Sequence, residues 1–168
     1  NGRVAMANPL GSGILENSGL LRYLPAIANA LLGRTLQLPS ITTWWCGDKN
    51  DCDYVCNNLR SLVIKSTYRR AGRNEIFGAE LDDNRTRALI HSIRTHPHHY
   101  AAQVYIPAST SPTWNDSHLQ PRPTLLRTFS VANKQSYAVM PGGLTRVNIS
   151  AVSNMISNQH GSRSKDTW

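Results

Sequence analysis

The sequence predicts an α+β fold built as two lobes. Three stretches with helical periodicity lie in the first part of the chain, with strand-like runs between and after them. The later part carries short runs rich in β-branched and aromatic residues that end at Pro, Gly or Asn. Helices between early strands, followed by strands alone, favour two lobes over one doubly wound sheet. The predicted lobes are residues 1–106 and 107–168, with the border within residues 107–123.

The first predicted helix covers residues 17–33. Asn17 and Ser18 are typical cap residues, and Gly33 follows the last apolar position. Pro25 predicts either a kink or a later helix start, because an interior proline removes a backbone hydrogen bond. The apolar residues spaced for one face are Leu20, Leu24, Ile27 and Leu31. This spacing predicts a core-facing helix.

Two further helices and five strands follow. The second helix is predicted over residues 48–59 with Asp48 as its cap, and the third from Asp82 or Asp83 to Thr95. The predicted strands are residues 62–66, 100–106, 124–131, 136–140 and 144–149. Turn residues at Asn133-Lys134 and at Pro141-Gly142-Gly143 predict that the last three strands form an antiparallel meander.

The charge balance favours an anionic ligand. The chain has 18 Lys and Arg against 10 Asp and Glu, a formal net charge of +8, and 14 of the 18 cations are arginine. Arginine suits bidentate contact with phosphate or carboxylate. Solvated surface charge explains single arginines equally well, so only clustered arginines are evidence for an anion-binding site. A basic nucleic-acid-binding domain is an alternative, although the sequence shows no aromatic and basic platform and no helix-turn-helix pattern.

The apolar and cysteine patterns indicate a cytoplasmic protein. No run of 18 apolar residues is present, so no membrane partner is expected. The three cysteines, Cys46, Cys52 and Cys56, lack paired zinc-type spacing and are predicted to be reduced packing groups. Because the sequence starts at Asn1 without methionine and stops after a polar run, we expect an excised piece of a longer protein.

Lys65 ends the apolar run Leu62-Val63-Ile64 and precedes an arginine-rich loop. A lysine on a buried strand loses solvation energy unless a negative group meets it. A strand, a lysine and a covering loop form a recurrent device for nucleotide phosphates. The alternative is a surface lysine at a strand end.

Two other side-chain groups are interpreted as structural. The histidines of THPHHY, at 96, 98 and 99, have a spacing across a proline that is more typical of a polar loop than of a metal site. Trp44 and Trp45 are predicted to pack in the core or between lobes. Neither group is assigned to a binding site.

Seven segments in order resemble the circularly permuted ATP-grasp family, type 2. They are NPLGSGILE, LPSITTWWCGD, LVIK, YAAQVYI, RPTLLRTFSV, MPGGLTRV and SNQHGSRSKDTW. This family is related to the ATP-grasp part of glutathionylspermidine synthase and to glutathione synthetase. The resemblance covers nearly the whole chain. It implies two α+β lobes with a nucleotide between them.

The resemblance assigns nucleotide contacts to five residues. Lys65 matches the strand lysine that contacts ATP phosphate and acts in catalysis. Gln103 and Val104 match the hinge where main-chain groups recognise adenine. Arg127 matches a catalytic arginine that faces the triphosphate, and Arg146 is a further candidate for the anion site.

The resemblance also implies a Mg²⁺ site, with departures. Asn8 matches an asparagine that helps to hold Mg²⁺ in related synthetases. Met6 and Arg69 stand where those enzymes carry acidic ligands, and Glu16 and Glu80 are the nearest spare acids. Glu16 is our candidate second ligand.

The function implied is that of an ATP-binding module in a carboxylate–amine or carboxylate–thiol ligase that works through an acyl phosphate. ATP and Mg²⁺ are the expected cofactors, and small-molecule or peptide carboxylates and amines the expected partners, without specific nucleic acid. A catalytically depleted binding module of the same fold is the first alternative. The short chain alone is expected to be inactive.

Overall fold

The computed structural model describes residues 10–68, 75–115, 117–134, 136–148 and 162–167. The chain divides into two compact units, Asn1–Tyr105 and Ile106–Trp168. Helices and strands are both present, which confirms the predicted mixed α+β content. Over the described ranges, no helix is both long and apolar enough to cross a membrane.

The first unit contains one four-stranded antiparallel sheet. Its strands are β1 (Thr43–Trp45), β2 (Leu62–Ser66), β3 (Ile76–Phe77) and β4 (Tyr100–Val104), in the order β1-β4-β2-β3. Strands β2 and β4 were predicted. Strands β1 and β3 were not, because three and two residues are too few for a period-two pattern to show.

Two of the three predicted helices are confirmed with their caps. Helix α2 spans Lys49–Asn58, and the Asp48 side chain accepts a hydrogen bond from the Asp51 N–H at 3.0 Å. Helix α3 spans Asp83–Thr95, and Asp82 likewise accepts from the Arg85 N–H at 2.8 Å. Each cap satisfies one of the free N–H groups at a helix start.

The predicted helix over residues 17–33 is shorter than expected. The α-helix α1 covers only Leu24–Leu32, and Ser18–Arg22 forms a 3₁₀ helix before it. Pro25 lies in the first turn of α1, where its missing N–H breaks no hydrogen bond, so the proline moves the helix start. Gly33 ends the helix with a positive φ of 62°, as its C-terminal position predicts.

The prediction that this helix faces the core was wrong. Ala28 is the only buried residue of α1, whereas Leu31 is 78% exposed. The helix therefore contacts its unit through Ala28 and the half-buried Leu24 and Ile27, and none of these residues joins the core cluster. The apolar residues have helical spacing, but the helix has only nine residues and buries little of their surface.

The core of the first unit lies between α2, α3 and one face of the sheet. Its buried members are Cys46, Val55, Cys56, Leu59, Leu62, Ile64, Ile93 and Ala102. The three cysteines are free thiols, and Cys52 packs against this cluster, as the packing role predicted. Burial, with a smaller contribution from neighbouring Cys52, raises the pKa of the Cys46 thiol to about 12. A thiol with so high a pKa carries little thiolate at neutral pH, so Cys46 is inert as a nucleophile.

The second unit is made of strands. These are β5 (Thr110–Asn115), β6 (His118–Arg127), β7 (Ser130–Ala132), β8 (Tyr137–Val139), β9 (Gly143–Val147) and β10 (Arg163–Thr167). Four form an antiparallel sheet in the order β10-β9-β6-β5, and β7 pairs with β8 in a separate ribbon. The stretch 107–123, where the lobe border was expected, contains β5 and much of β6.

The predicted three-strand meander was wrong. The run 124–131 splits into two strands, and β9 pairs with β6 instead of with β8. The turn at Pro141-Gly142 was predicted in the right place, and Gly142 has a positive φ of 87° there. After this turn the chain pairs with β6. A side chain on Gly142 would lie 2.6 Å from the Thr167 carbonyl oxygen, so this turn requires glycine.

Candidate functional site

Lys65 lies on the sheet face opposite the core of its unit. Leu62 and Ile64 of the same strand belong to the core cluster, so the alternating Lys65 points away from it. Its Nζ lies 2.8 Å from Oε1 of Glu75, and the two side chains are 28% and 46% exposed. The negative partner of this lysine within the described structure is therefore a glutamate of the chain itself.

Sequence reasoning missed Glu75. Strands β2 and β3 pair in the register Val63↔Phe77 and Ile64↔Ile76, which places Glu75 directly opposite Lys65. Opposite residues on antiparallel strands bring their side chains together on one face. Only the register of a two-residue strand reveals this contact.

Gln103 and Val104, the predicted adenine contacts, lie at the end of β4. The Gln103 side chain is buried and donates from Nε2 to Thr43 Oγ1 at 3.1 Å. The Val104 N–H donates to the Thr42 carbonyl at 3.2 Å. Because the sheet already uses this N–H, an adenine contact from Val104 must use its carbonyl. The hinge role stays a prediction.

Arg127 and Arg146 lie on the same face of the second unit's sheet. Strands β6 and β9 pair in the register Leu125↔Arg146 and Arg127↔Leu144, so the two arginines are diagonal neighbours. Arg146 Nε is buried and has no hydrogen-bond partner among the residues that the structure describes. A buried guanidinium donor without an acceptor is costly unless an anion meets it. This face therefore fits an anionic ligand.

The SKDTW segment contributes to the same sheet through β10. Ser164 lies opposite Arg146, and Asp166 lies opposite Leu144. Lys165, on the other face, donates from Nζ to Ser111 Oγ at 3.3 Å and to the Pro112 carbonyl. The lysine thus ties the strand at one edge of the sheet to the strand at the other edge.

Glu16, the predicted metal ligand, lies in a cavity of about 470 Å³ near the end of β2. The cavity is lined by Gly13, Ile14, Glu16, Asn17, Thr67 and Tyr68. A hydrogen bond of 3.0 Å from Ser18 Oγ to the Ser66 carbonyl holds this segment against the strand that carries Lys65.

Clustered His, Cys, Asp and Glu side chains were sought in the described ranges as a possible metal site. Within them, no group of three His, Cys, Asp or Glu side chains could hold a metal ion. Glu16 is the one carboxylate that lines the cavity. Asn8, Met6 and Arg69 lie outside the described residues. The predicted metal role of Asn8 therefore stays a prediction, and Glu16 is the predicted ligand whose surroundings the structure describes.

Trp44 packs against the core cluster, as predicted, and the histidines make ring contacts within the same unit. His96 and His99 stack with ring centroids 5.6 Å apart, and Trp44 stacks on Tyr54 at 4.6 Å. Trp45 contacts His98 with centroids 5.5 Å apart.

Comparison with known families identifies the chain. Residues 1–148 match the model for circularly permuted ATP-grasp type 2 proteins. The chain belongs to this ATP-grasp family. The resemblance inferred from the seven sequence segments is confirmed. Membership implies ATP binding with a divalent metal.

Several bacterial proteins are similar to this ATP-grasp chain over 99% of its length. A protein of Frankia casuarinae named as a glutamate–cysteine ligase is 33% identical over 166 residues, and one of Frankia alni with the same type of name is 33% identical over 167 residues. An uncharacterised protein of Synechocystis sp. is 31% identical over 167 residues. The chain spans 19% of each Frankia protein and 35% of the Synechocystis protein.

Proposed function

We propose that the chain is the ATP-binding module of a ligase that joins a carboxylate to an amine or a thiol through an acyl phosphate. In the first step, a carboxylate oxygen of the substrate attacks the γ-phosphorus of ATP, and ADP leaves. In the second step, the amine or thiol attacks the acyl carbon, loses its proton and expels inorganic phosphate. Such chemistry depends on positioning and on stabilising charge at the transferred phosphoryl group.

The observation that carries the proposal is the arginine face of the second unit, in a chain of the ATP-grasp family. Arg127 and Arg146 lie diagonally on adjacent strands, and the buried Nε of Arg146 has no acceptor among the described residues. Planar guanidinium groups bind phosphate oxygens in bidentate pairs. In this proposal both arginines contact the triphosphate, and Arg127 stabilises the charge that moves to the leaving ADP.

Lys65 has the same role on the first unit. Its ammonium is part-exposed at a strand end, where a phosphate oxygen can replace the exposed Glu75 as partner. Gln103 and Val104 at the end of β4 are proposed to contact adenine. Within the first unit, Lys65, Gln103 and Val104 are proposed to bind and orient the nucleotide.

The proposed metal is Mg²⁺, held by oxygen ligands from Asn8 and Glu16. Oxygen donors suit Mg²⁺, and Glu16 lines a cavity at the end of the strand that carries Lys65. When bound, the ion would neutralise phosphate charge.

The carboxylate and the nucleophile belong to the class of small molecules or peptides. The names of the Frankia proteins describe glutamate and cysteine as substrates, but they belong to whole proteins of which the matching segment is 19%. Glutamate and cysteine are therefore only the first pair to test.

A melting-temperature screen tests the proposal. A ligand that binds only the folded state raises its melting temperature by mass action. We expect ATP with Mg²⁺ to stabilise the 168-residue chain and adenosine to stabilise it less, since adenosine lacks the phosphates that Lys65 and the arginines bind.

A single-stranded oligonucleotide in the same screen distinguishes the proposed nucleotide-binding module from a basic nucleic-acid-binding domain. Non-specific contacts to a charged backbone weaken steeply with salt. We expect stabilisation by the oligonucleotide to vanish near physiological salt while that by ATP persists. Stabilisation by the oligonucleotide alone would contradict the proposed function.

A further inference from the structure

Lys65 forms an ion pair with Glu75, so a phosphate that binds the lysine must displace the carboxylate or share the ammonium with it. Its Nζ lies 2.8 Å from Oε1 of Glu75, and within the described part of the chain Lys65 has no other ion pair. The glutamate is 46% exposed, so a ligand can reach the pair from solvent.

The position of Glu75 is set by strand β3, which begins at the next residue. Ile76, the next residue, packs against the core cluster, and the ring of Phe77 contacts Tyr105 edge-on with centroids 6.1 Å apart. Strand β3 is thereby anchored on both faces, and its register with β2 holds the carboxylate opposite the lysine. The register of the sheet therefore brings the Glu75 carboxylate within reach of the lysine.

The pair has little value for folding. Part-exposed ion pairs contribute little to stability because water screens them and two long side chains must be ordered. The Glu75 carboxylate acts more directly on phosphate binding than on folding, because it both neutralises the lysine and repels the incoming anion.

We propose that Glu75 is an intramolecular counterion that competes with phosphate for Lys65 and thereby sets nucleotide affinity. The inference rests on the proposed function of Lys65 as a phosphate ligand. ATP displaces the carboxylate because its oxygens carry more charge than one glutamate, whereas adenosine offers nothing to exchange. Glu75 thus lowers the affinity for ligands that carry phosphate and leaves the affinity for adenosine unchanged.

The test is the substitution Glu75→Gln, which keeps the side-chain shape and removes its charge. We expect ATP to bind about threefold more tightly to the variant, while adenosine affinity is unchanged. Asp53→Asn is the matched control, since Asp53 is an exposed acid on α2 and its loss changes the net charge equally. We expect no change in ATP affinity for that control. In a Lys65→Met background, the gain from Glu75→Gln should shrink.

Three outcomes separate this inference from the function on which it rests. Unchanged or weaker ATP binding by the Glu75→Gln chain would overturn the counterion role. An equal gain from Asp53→Asn would also overturn it, because net charge would then be the cause. Absence of ATP binding by the unsubstituted chain would instead overturn the proposed function.

Discussion

Lys65→Met is expected to weaken ATP binding by about 2 kcal/mol, roughly thirtyfold, and to leave adenosine binding within about twofold. The variant would lose the charge-assisted contact between the lysine ammonium and phosphate, whereas adenosine makes no such contact. Methionine keeps most of the aliphatic stem, so packing of β2 changes little. Equilibrium titration of both ligands into both chains measures the difference.

Lys49→Met is the control for this substitution. Lys49 is exposed at the start of α2 in the same unit, and its loss reduces the net charge by the same amount. ATP affinity should be unchanged in this control. If Lys65→Met weakened ATP and adenosine equally, the phosphate role of Lys65 would be wrong.

Gly78→Ala is expected to destabilise the first unit by at least about 3 kcal/mol. A side chain at Gly78 would clash with the backbone carbonyl oxygen of Leu59 and would lie 3.0 Å from that of Leu62. Neither backbone atom can move without shifting the start of β2, which carries Lys65. Urea unfolding measures the loss when it is followed by the tryptophan fluorescence of the chain, to which Trp44 and Trp45 of this unit contribute.

Gly13→Ala provides the matched comparison. Nothing lies within 4 Å of the position where its side chain would begin, and its φ is not in the left-handed region. We expect the free energy of unfolding to change by less than about 0.5 kcal/mol. Equal stability of the two alanine variants would show that the close approach of Gly78 to Leu59 is not a structural requirement.

The parts of the fold that depend on local signals could be predicted from sequence. Asp48 and Asp82 cap their helices through hydrogen bonds within one turn, and Gly33 ends α1 through its own backbone conformation. These interactions need no knowledge of the rest of the chain. The exposure of Leu31 could not be predicted, since it depends on what α1 packs against.

The sequence could not predict which strands pair with each other. Strand β10, Arg163–Thr167, is polar throughout and forms because β9 offers it an edge. Apolar runs and a glycine turn suggested that β8 and β9 are neighbours, whereas β9 crosses to β6. Local patterns mark strand residues, but the partner is chosen by contacts distant in sequence.

The candidate site shows the same limit. Lys65, Arg127 and Arg146 were chosen from sequence, but their surroundings follow from register. The pairing of β9 with β6 brings the two arginines to one face, and the pairing of β3 with β2 brings Glu75 to Lys65. The proposed roles of these residues in nucleotide binding stay predictions.

Calorimetric titration of ATP and of adenosine into the unsubstituted chain, with and without Mg²⁺, tests the central claim most directly. The claim is that this ATP-grasp chain binds nucleotide through basic side chains that contact phosphate. We predict that ATP binds at least about tenfold more tightly than adenosine, because each charge-assisted hydrogen bond contributes about 1.5–3 kcal/mol. Equal affinity for the two ligands, or no binding of ATP under either condition, would contradict the claim.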